Sequence, residues 1–297
     1  MKRIFLFLVT NIAVIVTLGI VANVLCALLG TTVEELVGPE YATLAIFAFV
    51  YGILGAFISL LLSKPMAKLA CRAQTIDGTE GEAERWLVST VEDLARRANV
   101  KMPEVAVYPG AANAFATGAF RNHALVAVSS DIMRQMPKEE LRAVLGHEMS
   151  HVSNGDMVTL TLVQGVLNAF VIFFSRALAA ILSSAGRGEG RRRGGGSYFL
   201  LVMVFDICLG VLASLVVFAF SRRREYAADA GSARLLGTPQ PMIAALRRLG
   251  GLEPGVLPDS LKAFGVSSRR RSSIWATHPS IEDRIAALEN LPPIGLA

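Results

Sequence analysis

Charge is what this sequence is short of. Asp, Glu, Lys and Arg make up 18% of its 297 residues, hydrophobic residues make up 53%, and the mean hydropathy is +0.50. A typical soluble domain carries about 25% charged residues, so an ordinary soluble enzyme is excluded and lipid must bury part of the chain. Cysteine is scarcer still, with only Cys26, Cys71 and Cys208. An odd set without metal-type spacing excludes a disulfide framework and leaves histidine and carboxylate as candidate metal ligands. A nucleic-acid recognition module is also missing. The basic residues behind the net charge of +5 flank apolar segments, which suits an anionic leaflet better than nucleic acid.

Histidines number four, and two of them fall in Leu145-Gly146-His147-Glu148-Met149-Ser150-His151. Leu141, Val144, Leu145 and Val152 give this run a helical apolar pattern. Residues four apart stack on one helical face, so both imidazoles can point at one ion. A catalytic zinc takes three protein ligands and leaves one position open for water. Glu148, beside the first histidine, is positioned to take a proton from that water rather than to bind the metal. A chance match is the bland alternative.

Met1-Lys2-Arg3 precedes an uncharged run, Ile4 to Gly30. It exceeds the apolar core of a signal peptide and reaches the roughly 20 residues that span a bilayer. Tyr41 to Leu62 is a second such run, closed by Ser63-Lys64-Pro65, with an acidic loop, Thr31 to Glu40, before it. Basic outer ends around an acidic loop place both ends of this hairpin in the cytoplasm. Residues from about Ala73 to Asp156 have the texture of a soluble domain. Glu84 to Val100 is amphipathic, Pro103 to Tyr108 and Ala124 to Val128 read as strands, and Asn113 to Gly118 reads as a turn or an edge strand. Pro137 opens the metal helix, with Glu139 and Glu140 in its first turn. His123 reads as a surface histidine.

Met157 to Ala185 and Tyr198 to Phe220 are two more apolar runs, interrupted by Arg176 and Asp206. Ionisable groups at membrane depth need a partner or a cavity, so these two are expected to pair. A Gly/Arg linker, Gly186 to Ser197, joins the runs, and Ser221-Arg222-Arg223-Arg224 stops the second on the cytoplasmic side. The linker's arginines conflict with that orientation, so a re-entrant hairpin competes with two full spans. Glu225 and Asp229, four apart, share a face of a short helix. They are either a third metal ligand and an acceptor that orients a ligand histidine, or a solvated pair bridged to Arg222 or Arg224.

The chain resembles the HtpX membrane zinc peptidases. The resemblance rests on His147-Glu148-x-x-His151, on Glu225-Tyr226-Ala227-Ala228-Asp229, on Thr277-His278-Pro279-Ser280 and on Asn113-Ala114-Phe115-Ala116-Thr117-Gly118, in that family's arrangement of apolar runs. It implies a gluzincin of the bacterial inner membrane, multi-pass, with its active site facing the cytoplasm. Such an enzyme cleaves misfolded or damaged membrane proteins, often under stress. The expected fold is a mainly α integral membrane protein, with four transmembrane helices and a cytoplasmic α+β zincin-like metalloprotease domain. Its expected parts are a hairpin over 1–64, a first catalytic part over 65–156, a second hairpin over 157–221 and a second catalytic part over 222–297.

One Zn2+ per subunit is expected on His147, His151 and Glu225, with Glu148 as general base. His278 is the candidate oxyanion donor, or else part of a turn capping the last helix. Arg284 is a less certain donor and is otherwise grouped with Asp229 behind the ligands. Asn113, Ala114, Phe115 and Ala116 either bind substrate backbone by strand addition or form a plain loop. Gly250 to Ala276 reads as a mobile flap or surface loop, with Arg269-Arg270-Arg271 either at headgroups or in water. Two rivals stand beside this reading: a CAAX-type prenyl-protein peptidase, and a scaffold with a structural metal site.

Overall fold

The computed structural model describes residues 33–185, 195–251 and 278–292. The expected first span, most of the Gly/Arg linker and most of the segment before His278 lie outside the described residues. In chain order the elements are α1 (Val33–Cys71), β1 (Gln74–Ile76), α2 (Glu82–Arg97), β2 (Glu104–Tyr108), β3 (Ala114–Thr117) and β4 (Leu125–Ser129). Then follow α3 (Ser130–Gln135), α4 (Lys138–Asn154), α5 (Asp156–Ala185), α6 (Gly195–Leu236), α7 (Gln240–Gly251) and α8 (Ile281–Glu289). The chain divides into two compact units, residues 1–56 with 163–214 and residues 57–162 with 215–297.

The first unit is apolar. Among the described residues three helices are long and apolar enough to cross a membrane, over Leu44–Cys71, Asp156–Ser183 and Ser197–Leu236. Two boundaries differ from the sequence reading. Helix α1 begins at Val33, inside the expected acidic loop, and runs through Pro65 to Cys71. Pro65 removes the one backbone bond to the carbonyl of Leu61, and the helix continues through it. Likewise Ser221 to Arg224 does not stop α6, which continues as one helix to Leu236.

Within this unit α1 and α5 approach closely at Gly52 and Gly165. A Cβ at Gly52 would lie 2.7 Å from Ala169 N and 2.8 Å from Gly165 O. Close backbone approach of this kind is how helices gain packing in lipid. Arg176 and Asp206 stand 3.6 Å apart, beside a cleft of about 290 Å³ that Tyr51, Gly55 and Asn168 also line.

The second unit is built on a four-stranded sheet in the order β1-β2-β4-β3. Strands β2 and β4 are parallel, and β1 and β3 add antiparallel at the two ends, with Ala116 opposite Val126. Central β4, Leu-Val-Ala-Val-Ser, is buried along its whole length, as a strand covered on both faces requires. Helix α2 buries Leu87, Val91 and Leu94 on one stripe. Helix α4 packs Leu141, Val144, Leu145 and Met149 into the same core as Val126 and Val128. Burying each such side chain contributes about 1.5–3 kcal/mol. On its other side Ala143 meets Ala233, Met242, Leu246 and Leu288, from α6, α7 and α8. Covered on both sides, α4 holds the functional side chains away from bulk water.

Candidate metal centre

His147 and His151 lie one turn apart near the end of α4, their rings 4.6 Å apart and nearly perpendicular. Gly155 ends the helix in the left-handed region at φ 66°, and its N–H bonds back to His151 O and Val152 O. A glycine cap of this kind reverses the chain at little cost. The reversal brings the next residue, Asp156, back to His151, with Oδ2 2.7 Å from Nδ1.

Helix α6 brings Glu225 and Asp229 to the same place because α4 and α6 cross on small residues. A Cβ on Gly146 would lie 2.9 Å from Ser232 Oγ, and one on Gly231 would lie 2.7 Å from Ser150 Cβ. Ser232 Oγ donates to Ala143 O at 2.6 Å, which fastens the crossing. The expected short helix bearing Glu225 is thus a stretch of the 42-residue α6.

The ligand atoms converge. His147 Nε2 and His151 Nε2 are 3.0 Å apart, and Glu225 oxygens lie 3.6 Å and 3.4 Å from them. His147 Nδ1 is 2.8 Å from Asp229 Oδ1. Because an ionised carboxylate only accepts, each Nδ1 carries the proton and each Nε2 presents a lone pair. Two lone pairs facing each other at 3.0 Å, with a carboxylate beside them, call for a cation. Burial also pulls the His147 pKa below its usual value, although Asp229 works against this, so the imidazole is neutral, as a metal ligand must be. Around this point stand Glu148, Asp156, Glu225 and Asp229 against Arg224 and Arg284. The carboxylates outnumber the guanidinium groups at this point, which suits a cation. The residues therefore fit a metal.

Glu148 is buried and neither carboxyl oxygen has a side-chain hydrogen-bond partner among the described residues. Burial pushes its pKa up to about 8; His151, the Ala116 backbone and Arg284 pull the other way, and Glu225 adds to the rise. Arg284 is fully buried and grips Asp229 with two bonds, Nε to Oδ2 at 2.8 Å and Nη2 to Oδ1 at 2.7 Å. Burial opposes its charge, yet Asp229 and Glu225 hold its pKa above the ordinary value. With its Nε and Nη2 engaged by Asp229, Arg284 has its Nη1 3.6 Å from Glu225 Oε2.

His278 Nδ1 lies 2.9 Å from Glu225 Oε2, but neither ring nitrogen is in hydrogen-bond geometry. Ser280, two residues on, caps α8 by accepting from Asp283 N. Asn113 is buried; its side chain accepts from Ala114 N, and its backbone binds Ser129. Ala114, Phe115 and Ala116 form β3 at the end of the sheet, all with buried side chains. His123 is exposed and outside the site.

The sequence reading missed Asp156 and Arg224. Arg224 Nη2 is 2.9 Å from Asp156 Oδ2, and its Nη1 donates to Asp156 O. The signal lay in Gly155-Asp156, a helix-ending glycine followed by an acid soon after the second histidine.

Hydrolysis at a metal needs neutral imidazoles that share an ion, a carboxylate free to take a proton, and shelter from bulk water. Helices fit to cross a bilayer put this chemistry in a recognisable class, the membrane metallopeptidases. Comparison with known proteins agrees. Residues 82–291 match the model of Peptidase family M48. A Protease HtpX homolog of Janthinobacterium sp. (strain Marseille) is 50% identical over 98% of this chain and 100% of its own length. That of Bordetella pertussis (strain Tohama I) is 52% identical over 98% of this chain and 99% of its own. The crystal structure of S. mikatae Ste24p shares the fold at a TM-score of 0.55 and 18% identity, covering 86% of this chain, which spans 59% of that one. The chain belongs to peptidase family M48, with the HtpX proteases, and is a membrane metalloprotease.

Proposed function

We propose that the chain is a zinc endopeptidase of the bacterial inner membrane, with its active site facing the cytoplasm, that cleaves misfolded or damaged membrane proteins. The observation that carries this reading is the pair of converging His147 and His151 Nε2 atoms beside a buried Glu148 that no side chain among the described residues engages. His147, His151 and Glu225 would hold the ion, a nitrogen and oxygen donor set that suits zinc and leaves a fourth position open. Zinc supplies polarisation of the scissile carbonyl and a more acidic bound water.

Glu148 accepts a proton from the attacking water and returns it to the leaving amine; the absence of a side-chain partner among the described residues supports this role. Asp229, gripped by Arg284, keeps the His147 proton on Nδ1 and the lone pair on Nε2. His278 Nδ1 faces Glu225 Oε2 at 2.9 Å, and its Nε2, without a hydrogen-bond partner among the described residues, is left for the developing oxyanion; removing such a donor elsewhere costs about 3–4 kcal/mol. Strand β3 pairs with β4 on one edge, and a substrate added along its other edge would be read through its backbone, tolerant of sequence. Basic residues after the second apolar run and at Arg222 to Arg224 support the cytoplasmic side.

The test offers purified enzyme in detergent two substrates, an unfolded membrane protein without lipid modification and a prenylated CAAX peptide, with metal content measured in parallel. About one zinc per chain and cleavage of the unmodified protein are expected. Cleavage of the prenylated peptide alone would favour the prenyl-peptidase rival, and bound metal without any cleavage would favour a structural site.

A further inference from the structure

The two metal-facing histidines are supported by matching constructions. His147 leans on Asp229, and Asp229 is held by Arg284. His151 leans on Asp156 at 2.7 Å, and Asp156 is held by Arg224 at 2.9 Å. All these side chains are buried or nearly so. Arg224 grips Asp156 twice, at its carboxylate and at its backbone carbonyl, which fixes both the position and the rotation of the carboxylate. Its guanidinium also lies 5.6 Å from the Phe220 ring.

We propose that Asp156 and Arg224 are a positioning pair for His151, fixing its tautomer and ring plane so that Nε2 faces the metal. This rests on the metal-site reading above. Arg224 and the candidate ligand Glu225 are consecutive on α6, so about 100° of helical turn separates them. One turn of α6 thereby supplies the third ligand and the brace for the second. The geometry also explains Gly155, whose left-handed cap returns Asp156 to the ring it supports.

A salt bridge joining the start of α5 to α6 could serve the fold alone, since removing one partner of a buried ion pair is itself destabilising. The experiment therefore reads the metal and the fold separately. Full-length wild type, Asp156→Asn, Arg224→Gln, Arg224→Lys and Asp229→Asn are purified in detergent. Zinc affinity is measured by chelator competition, the ligand field by Co2+ absorption, and the melting temperature with metal removed.

Loss of a hydrogen-bonding partner behind a ligand histidine typically weakens metal binding about 10–100-fold. Asp156→Asn and Arg224→Gln should fall in that range, as should Asp229→Asn, each with an altered Co2+ spectrum in addition to whatever it loses in metal-free melting temperature. Combining Asp156→Asn with Arg224→Gln should weaken binding little further, because the arginine acts through the aspartate. Arg224→Lys keeps the charge without the fork, guards the test against a folding defect of the glutamine variant, and should still weaken metal binding. Wild-type affinity and spectrum in Asp156→Asn, or a melting-temperature loss as the only change, would overturn the proposal. Absence of metal binding by wild type itself would instead strike the metal-site reading.

Discussion

The two units treat ionised groups in opposite ways. In the α+β unit Arg284 is 1% exposed, holds Asp229 through two bonds at 2.7–2.8 Å, and stands 3.6 Å from Glu225. In the apolar unit the Arg176 and Asp206 side chains are 32% and 39% exposed and 3.6 Å apart, and Arg176 spends its Nη1 bonds on Ile172 O and Ser175 Oγ. Apolar residues follow the reverse rule. Leu87, Leu94 and Met149 are sealed in the α+β core, whereas Phe199, Ile207 and Leu212 of α6 face outward. Where water is the solvent, burial marks the core and an interior charge needs complete partnering. Where lipid is the solvent, an outward Phe is at home and a loosely held ion pair is the anomaly. The α+β unit thus gathers its buried charges at one sealed point, and that point is the candidate metal centre.

The sharpest way to press on this contrast is to ionise the most isolated group in the sealed site. Burial raises the Glu148 pKa in the folded, metal-free protein from 4.5 to about 8. Between those values the folded state holds a proton that the unfolded state has released. The stability tied to that proton is fully present below about pH 4.5 and is lost as pH rises through about 8. Metal-free wild type should therefore melt like Glu148→Gln at pH 4.5 and fall progressively below it by pH 9, by a few kcal/mol in order of magnitude. Equal melting curves for the two proteins at every pH would show that the carboxyl is not sealed.

Next in size is the crossing that brings the ligands together. Gly231→Ala puts a methyl 2.7 Å from Ser150 Cβ, and overpacking of this kind costs about 1–3 kcal/mol. Lower thermal stability and weaker metal binding should appear together, because the same shift moves Glu225. Full metal affinity in Gly231→Ala would mean that the α4–α6 approach is not what sets the site.

The smallest effect belongs to the apolar unit. Arg176→Asp and Asp206→Arg should each destabilise the protein in detergent, and the double swap should restore part of the loss. A coupling of about 1 kcal/mol is the scale found for polar contacts between membrane helices. Strict additivity would show that the 3.6 Å pair carries no energy.

What could be read from the sequence followed periodicity and spacing. The four-residue steps in His147–His151 and Glu225–Asp229 put each pair on one helical face, alternation marked β2, and Ala124 to Val128 read as a second strand where β4 forms. The interpretations of single residues as stop signs were less reliable. Pro65 and the arginines 222–224 read as ends of apolar runs, but α1 and α6 continue through them. The end of hydrophobicity is a statement about solvent, whereas the end of a helix is a statement about backbone bonds. Asp156 escaped notice for a third reason. Five residues after His151 is not a helical neighbour spacing, and only the left-handed turn at Gly155 brings it back. Arg284 and His278 come from distant sequence, and only tertiary packing sets them behind Asp229 and beside Glu225.

The most direct test of the central claim, that this sealed point is a hydrolytic metal site, is paired zinc content and proteolysis of wild type, Glu148→Gln and Glu225→Ala in detergent. Wild type should carry about one zinc and cleave, and Glu148→Gln should keep the metal while losing about 10²–10⁴ in rate. Glu225→Ala should lose both. Cleavage by Glu148→Gln at the wild-type rate would contradict the account.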